Sequence, residues 1–360
     1  MVLQSINLTN FRNFSQLSLT FDDKGHVFFG KNGIGKTNLL EAISYCAYGK
    51  SFRSLTDLDL IKINQEFFKI KAEFVYHKKK FQFEATLDKK SRKLIKVNNT
   101  RLAKVSELYK YLKIVYFSQD DINLIEGSPK NRRQFFDMAI SQSDYSYISL
   151  LKNYHQLLKQ RNALLKTVFN KAEKRAWDNK LVDAAVTITN TRLSYLKILN
   201  KELQEHYKKI GYHAENVEIN YNFSYPYRTD TQLAEVLKNE LIRLEKDEIR
   251  YQRTLIGPHL DDFLFILDKR SIYRFGSHGQ KRCFAIAVKL ALAALITSTD
   301  TDTAILIFDD VLADLDEIRA KSIIDSLGDK NQIFIATPTP SLYRSMQLSL
   351  IDMERLKEQR

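Results

Sequence analysis

The sequence predicts an α/β protein in which both chain ends build one sheet-rich head, with a short helical-hairpin arm inserted between them. Three observations point there. A glycine-rich loop, Gly30-Lys31-Asn32-Gly33-Ile34-Gly35-Lys36-Thr37, lies between the short apolar run 26–29 and the helically spaced run 38–48. Near the other end, the apolar stretch Ala304-Ile305-Leu306-Ile307-Phe308 delivers two acids, Asp309 and Asp310. Between these, from Pro129 onward, the texture changes to long amphipathic helices. The expected head covers 1–128 and 252–360, and the arm 129–251.

The elements follow in order. Residues 2–8 and 17–21 carry apolar residues near period two, and 26–29 reads as a buried strand. Runs 67–76 and 81–87 alternate around the turn His77-Lys78-Lys79-Lys80, and 94–97 adds a further strand. The strand 114–117 ends at Ser118-Gln119-Asp120-Asp121. Pro129 suits the first turn of a helix, which 132–140 continues. Leucine pairs then recur every seven residues, at Leu150/Leu151, Leu157/Leu158 and Leu164/Leu165. They suit either an antiparallel hairpin with a return helix at 178–210 or a helix on an ordinary core. The stripe is too short for a long coiled coil. Strands are expected at 217–223, 263–267, 271–275, 304–308 and 333–336, and helices at 231–251 and 280–296.

At 360 residues, with 44% hydrophobic and 28% charged, the chain has the composition of a globular protein with a sizeable core. No apolar run approaches the ~18 residues of a membrane helix. The first residues lack a signal peptide's basic and apolar regions. Two cysteines, Cys46 and Cys283, are too few for a disulfide framework or a zinc site. A cytoplasmic protein is expected. The net charge of +13 favours a polyanionic partner, because each cation that meets a phosphate releases counterions. Candidate nucleic-acid contacts are Lys78, Lys79 and Lys80, the group Lys89, Lys90, Arg92 and Lys93, and the pair Arg132 and Arg133. The first three better suit a solvated turn that guards a sheet edge, and the last two equally suit a brace of the arm against the head.

The chemistry starts at the loop. Gly30-x-x-x-x-Gly35-Lys36-Thr37 fits the phosphate-loop pattern at every defined position, so ATP with Mg²⁺ is the expected ligand. Gly30 through Asn38 would wrap the phosphates, Lys36 would reach the β- and γ-phosphates, and Thr37 would ligate the metal. Asp309 would hold Mg²⁺ through its water shell, and Asp310 would orient or deprotonate the attacking water. A third element, Ser277-His278-Gly279-Gln280, opens a helix. On its own it reads as an N-cap with a helix-start glycine.

Taken with the loop and the Asp309-Asp310 strand, Ser277 and Gly279 resemble the signature motif of ATP-binding-cassette ATPases. That resemblance implies a head-to-head dimer in which one subunit's signature caps the ATP held by the other's loop. Along nearly its whole length the chain resembles the RecF family within that superfamily. The landmarks are Asn10-Phe11-Arg12-Asn13, the phosphate loop, Gly127-Ser128-Pro129 with Arg132-Arg133, Gly257-Pro258-His259 with Asp261-Asp262, Ser277, and Asp309-Asp310-Val311 with Leu315-Asp316. The resemblance implies a head like those of SMC proteins with a short arm. It places Arg12 near the nucleotide, Asp316 in a loop crossing the dimer interface, and Gln119 at a position sensing Mg²⁺ and the γ-phosphate. It also implies binding to single-stranded and gapped DNA, partners of the RecO and RecR type, recombinase loading, fork maintenance and SOS induction.

Several positions depart from the family pattern. Gln119-Asp120-Asp121 stands where Pro-Glu-Asp is usual, Leu260 replaces an arginine, and His278 replaces a glutamine or arginine. Thr337 stands where transporters carry a histidine. Asp310 is one methylene shorter than the usual glutamate, so slow hydrolysis is expected. The rival readings are an SMC-type chromosome tether, a transporter's ATPase subunit, and a nucleotide module without turnover. The short helical insertion opposes the first; the Gly-Pro-His stretch and basic charge oppose the second.

Overall fold

The computed structural model describes residues 1–76, 79–211, 215–227, 232–297, 303–312, 317–326, 331–338, 340–343 and 348–358. Two compact units result. The first comprises Met1–Asp121, Lys208–His213 and Ile286–Arg360, and the second Ile122–Tyr207 and Ala214–Ala285.

The first unit holds two sheets. The antiparallel one orders its strands Phe14–Thr20, Val2–Phe11, Phe67–Tyr76, Lys79–Asp88, Lys93–Val97 and Thr100–Arg101. Alternation explains it: Phe68, Ile70, Ala72 and Phe74 are buried on one face. The second sheet is parallel, in the order Ser349–Asp352, Gly25–Phe29, Gln332–Thr337, Ile305–Asp309 and Ile114–Ser118. Its inner strands read as unbroken apolar runs because both faces are covered, and Phe117 stacks on Phe308 at 4.3 Å between ring centres. The helix Lys36–Tyr48 buries nearly its whole length within this unit and stops at Gly49, whose φ of 58° suits a glycine cap. The Gln332 side-chain amide bonds both the N–H and the C=O of Leu3, at 2.7 and 2.9 Å. The head is thus assembled from both chain ends.

The second unit is mainly helical: Pro129–Ser143, Ser146–Leu164, Lys171–Lys209 up to Tyr207, Leu233–Arg243 and Glu245–Tyr251. The expected single helix at 231–251 is two helices meeting at Leu244. Strand Val217–Asn222 pairs with Asp262–Leu267, which draws 252–285 into this unit. The strand expected at 271–275 is not formed. Asp268 and Lys269 turn with positive φ, Arg270 and Ser271 complete two pairs, and Ile272–Phe275 then coils into one helical turn.

Of the leucine pairs only Leu165 is buried; the other five leucines are half-buried. The fully buried line on Ser146–Leu164 is Tyr147, Tyr154 and Arg161, again seven residues apart, each with a polar tip that is bonded. Tyr147 donates to Asp137 at 2.8 Å, and Tyr154 bonds His259 Nδ1 at 2.6 Å. Gly257, with φ of 119°, lets the chain pass Tyr154, whose hydroxyl would lie 2.8 Å from any Cβ there. Burial pushes the His259 imidazole down from 6.5 to about 4, with nearby His155, Arg133 and Arg192 adding to the effect. A lowered histidine stabilises the fold above its unfolded pKa and loses that contribution as pH falls. The second unit should therefore lose about 3 kcal/mol between pH 6.5 and 4 from this residue. Melting temperatures of wild type and His259→Gln across that window should converge on acidification; parallel curves would refute the assignment.

Candidate nucleotide-binding site

The site lies in the first unit, where the strand Gly25–Phe29 runs into the loop and the helix Lys36–Tyr48 leaves it. Gly30, Gly33 and Gly35 all take positive φ, at 139°, 80° and 117°. Behind the loop stands the turn 10–13. Asn13 Nδ2 donates to the Ile34 carbonyl at 3.0 Å, and Asn38 Nδ2 to Asn13 Oδ1 at 2.9 Å. A Cβ at Gly35 would fall 2.6 Å from Asn13 Nδ2, so only glycine fits.

The Lys36 ammonium is buried and donates to the carbonyls of Gly30 and Lys31, at 2.7 and 3.2 Å. Lys31, Asn32 and Gly33 are exposed, and the Lys31 N–H meets Glu354 Oε1 at 3.3 Å. The Thr37 hydroxyl donates to Asp309 Oδ1 at 2.8 Å, and Tyr116 donates to Asp309 Oδ2 at 2.6 Å. Parallel pairing sets this geometry, placing Asp309 opposite Ser118 and Ala336 at the carboxyl ends of the strands. Burial raises the Asp309 carboxyl pKa, against the two hydroxyl donors that lower it. Asp310 follows in a left-handed conformation, its N–H on the Ala336 carbonyl at 3.2 Å.

Arg12 binds Glu41 in a fork, with both bonds 2.9 Å, and Ser51 also donates to Glu41. Gln119 is exposed at the end of the strand Ile114–Ser118. Sequence reasoning missed Tyr116, Glu41 and Glu354. Tyr116 looks like any aromatic in a buried strand, and the 193 residues between it and Asp309 hide the bond.

The donors that the structure brings together at Thr37 are hard oxygens: its own hydroxyl and the Asp309 carboxylate. Among the described residues, no group of three or more His, Cys, Asp or Glu is arranged to hold a metal ion. Such a set fits Mg²⁺, which keeps waters and takes phosphate oxygens, better than a metal held by protein alone.

Ser277 and Gly279 belong to the second unit. Ser277 Oγ accepts from the Gln280 N–H at 3.2 Å, and Gln280 Oε1 accepts from the Ser277 N–H at 2.9 Å, a reciprocal capping box. Ser277, His278 and Gly279 are exposed, and a Cβ on Gly279 would meet nothing. Asp316 and Lys78 lie outside the described residues. Lys79 and Lys80 are exposed on their hairpin, whereas Lys89, Arg92 and Lys93 pair with Glu66, Asp88 and Asp57. Arg132 forks onto Asp262 with two 2.8 Å bonds, and Arg133 donates to the Asp261 carbonyl at 2.7 Å. No helix among the described residues is long and apolar enough to cross a membrane.

Residues 2–359 match the RecF/RecN/SMC N-terminal domain family. The DNA replication and repair protein RecF of Heliobacterium modesticaldum is 33% identical over 363 residues, covering 99% of this chain and 98% of that protein. RecF of Geobacillus thermodenitrificans is 35% identical over 94% of this chain and 92% of its own. A solved structure of the recombination mediator RecF with ATP, of the RecFOR pathway, superimposes with a TM-score of 0.85 at 30% identity, covering 94% of this chain and 92% of that one. An SMC head bound to the C-terminal winged-helix domain of ScpA shares the fold alone, with a TM-score of 0.57 at 15% identity. On these matches, the chain belongs to the RecF family of DNA replication and repair proteins.

Proposed function

We propose that the protein is an ATP-gated DNA clamp with a weak ATPase activity. The observation that carries this reading is the bond from Thr37 to Asp309 beside the glycine loop, which joins a phosphate cradle to a metal-organising carboxylate. ATP would draw the Lys36 ammonium from the loop carbonyls onto its β- and γ-phosphates. Thr37, Asp309 and Gln119 would hold Mg²⁺, whose charge would offset that of the phosphates. Asp310 would orient or deprotonate the attacking water. The capped, exposed Ser277-His278-Gly279 turn suits a trans contact: a helix start with open space above Gly279 favours a phosphate on a second copy. In the solved relative the ligand is ATP.

Two ATP molecules would bridge two heads, and the dimer would bind single-stranded DNA and gapped single-strand/double-strand junctions through backbone charge. There it would act in the cytoplasm with RecR- and RecO-type partners, loading recombinase, maintaining forks and supporting SOS induction. Hydrolysis would release the clamp. The test is a titration of gapped DNA with the full chain under ATP, ADP or no nucleotide, at fixed salt. ATP is expected to tighten binding at least tenfold over ADP; equal affinity in all three states would refute the gating.

A further inference from the structure

The second unit contains a cavity of about 320 Å³ that the nucleotide reading leaves unused. Lys130 and Arg133 line it from the helix Pro129–Ser143, His155 from Ser146–Leu164, and Arg192 from the long helix. Its one acidic lining residue is Asp137. That carboxylate is already neutralised: Arg192 forks onto it with two 3.0 Å bonds, and Tyr147 donates to it. Lys130 and Arg133 remain as surplus charge. Neither forms an ion pair among the described residues, and the Arg133 hydrogen bond goes to a neutral carbonyl oxygen.

Burial lowers the Arg133 pKa, and Arg192 lowers it further against three nearby aspartates. Burial keeps His259, on the cavity wall, neutral near pH 7, and His155, Arg133 and Arg192 add to the effect. A partly enclosed space lined by Lys130, Arg133 and Arg192 against the single carboxylate of Asp137 carries net positive charge and attracts an anion. An arginine with free N–H groups and an exposed lysine ammonium on the same cavity wall suit the tetrahedral oxygens of phosphate. Arg192 and Tyr154, held by Asp137 and His259, form a rigid floor.

We propose that this cavity is a phosphate site, in which Arg133, Lys130 and the rim residue His155 hold one phosphate group of bound DNA. The group is either an internal phosphodiester or a terminal monophosphate. This rests on the DNA-binding reading above, and it adds a fixed point of contact outside the nucleotide site.

The test uses the full chain with a non-hydrolysable ATP analogue on gapped duplexes whose recessed end carries a 5′-phosphate or a 5′-hydroxyl. Lys130→Gln and Arg133→Gln are compared with wild type and with Lys201→Gln, an exposed lysine elsewhere on the second unit. Each cavity variant is expected to weaken binding by roughly 3- to 10-fold and to flatten the plot of log affinity against log salt by about one unit. Lys201→Gln should leave the slope unchanged. A loss confined to the 5′-phosphorylated duplex assigns the terminal group, and a loss on both assigns a phosphodiester. Wild-type affinity and slope in both cavity variants would overturn the proposal while leaving the DNA reading intact. Lys130 is exposed, so its variant also guards against a folding defect in Arg133→Gln. If the wild type binds no DNA, the DNA reading fails and the cavity is tested by inorganic phosphate, with ADP and Mg²⁺ saturating the other site. A phosphate-induced rise in melting temperature that Lys130→Gln abolishes supports the site; no rise in wild type overturns it.

Discussion

Replacing Arg161 by alanine should cost the second unit about 3–5 kcal/mol, the penalty for stranding buried charge. Arg161 is fully buried, and so is Glu248. The guanidinium donates to Asp178 at 2.6 Å, Thr254 at 2.8 Å and Glu248 at 2.5 Å. Burial works against its charge, but the hydrogen bond and charge of Glu248, followed by Asp178, raise its pKa above the usual value. The second Glu248 oxygen accepts from the Leu255 N–H at 3.0 Å, so the carboxylate pins 248–255 to the helix Ser146–Leu164. Removing only the arginine leaves Glu248 with no cation on it. The double variant Arg161→Met with Glu248→Gln should recover most of the loss, because it removes both charges and keeps volume. Calorimetry of the full chain, with the transitions resolved by unit, checks both. A loss under 1 kcal/mol in Arg161→Ala would contradict the view that this network holds the unit together.

The second large effect concerns Ser277. Its hydroxyl caps a helix, so a purely structural role predicts that aspartate, an equally good cap, is harmless. The dimer reading predicts the opposite. A carboxylate aimed at the γ-phosphate of a second copy repels it, and ATP-dependent dimerisation should vanish while each chain still binds ATP. Light scattering separates the two outcomes, and equilibrium ATP binding verifies the intact loop.

Much of the head was legible because its chemistry is ordered along the chain. The loop, the strand to Asp309 and the helix opened by Ser277 each carry a local pattern, and parallel pairing supplies the long-range register. Asp309 meets Thr37 across 272 residues, as the order of the motifs predicts. Elsewhere local pattern misled. The repeated leucines drew attention from Tyr147, Tyr154 and Arg161, whose polar tips disguise a buried line at the same seven-residue spacing. The run Ser271-Ile272-Tyr273-Arg274-Phe275 alternates like a strand, yet the tight turn at Asp268-Lys269 limits pairing to two residues. The final strand, Ser349–Asp352, was missed because two exposed and two half-buried residues carry too little apolar signal. The roles of Tyr116 and Glu41 depend on tertiary contacts that no spacing encodes.

In the proposed clamp, the phosphate loop of one chain and the signature of another form a single ATP site. In one chain the two elements belong to different compact units, which makes them separable by mutation. Lys36→Ala disables the loop and Ser277→Asp disables the signature, so each variant alone should neither dimerise nor hydrolyse ATP. Mixed in equal amounts, they can form a two-fold dimer with one intact site, built from the loop of one and the signature of the other. The measurement is ATP turnover of the mixture, expected to recover to about half of the wild-type rate, because only mixed dimers form and each carries one intact site of two. Turnover no greater than the sum of the two variants alone would contradict the shared site.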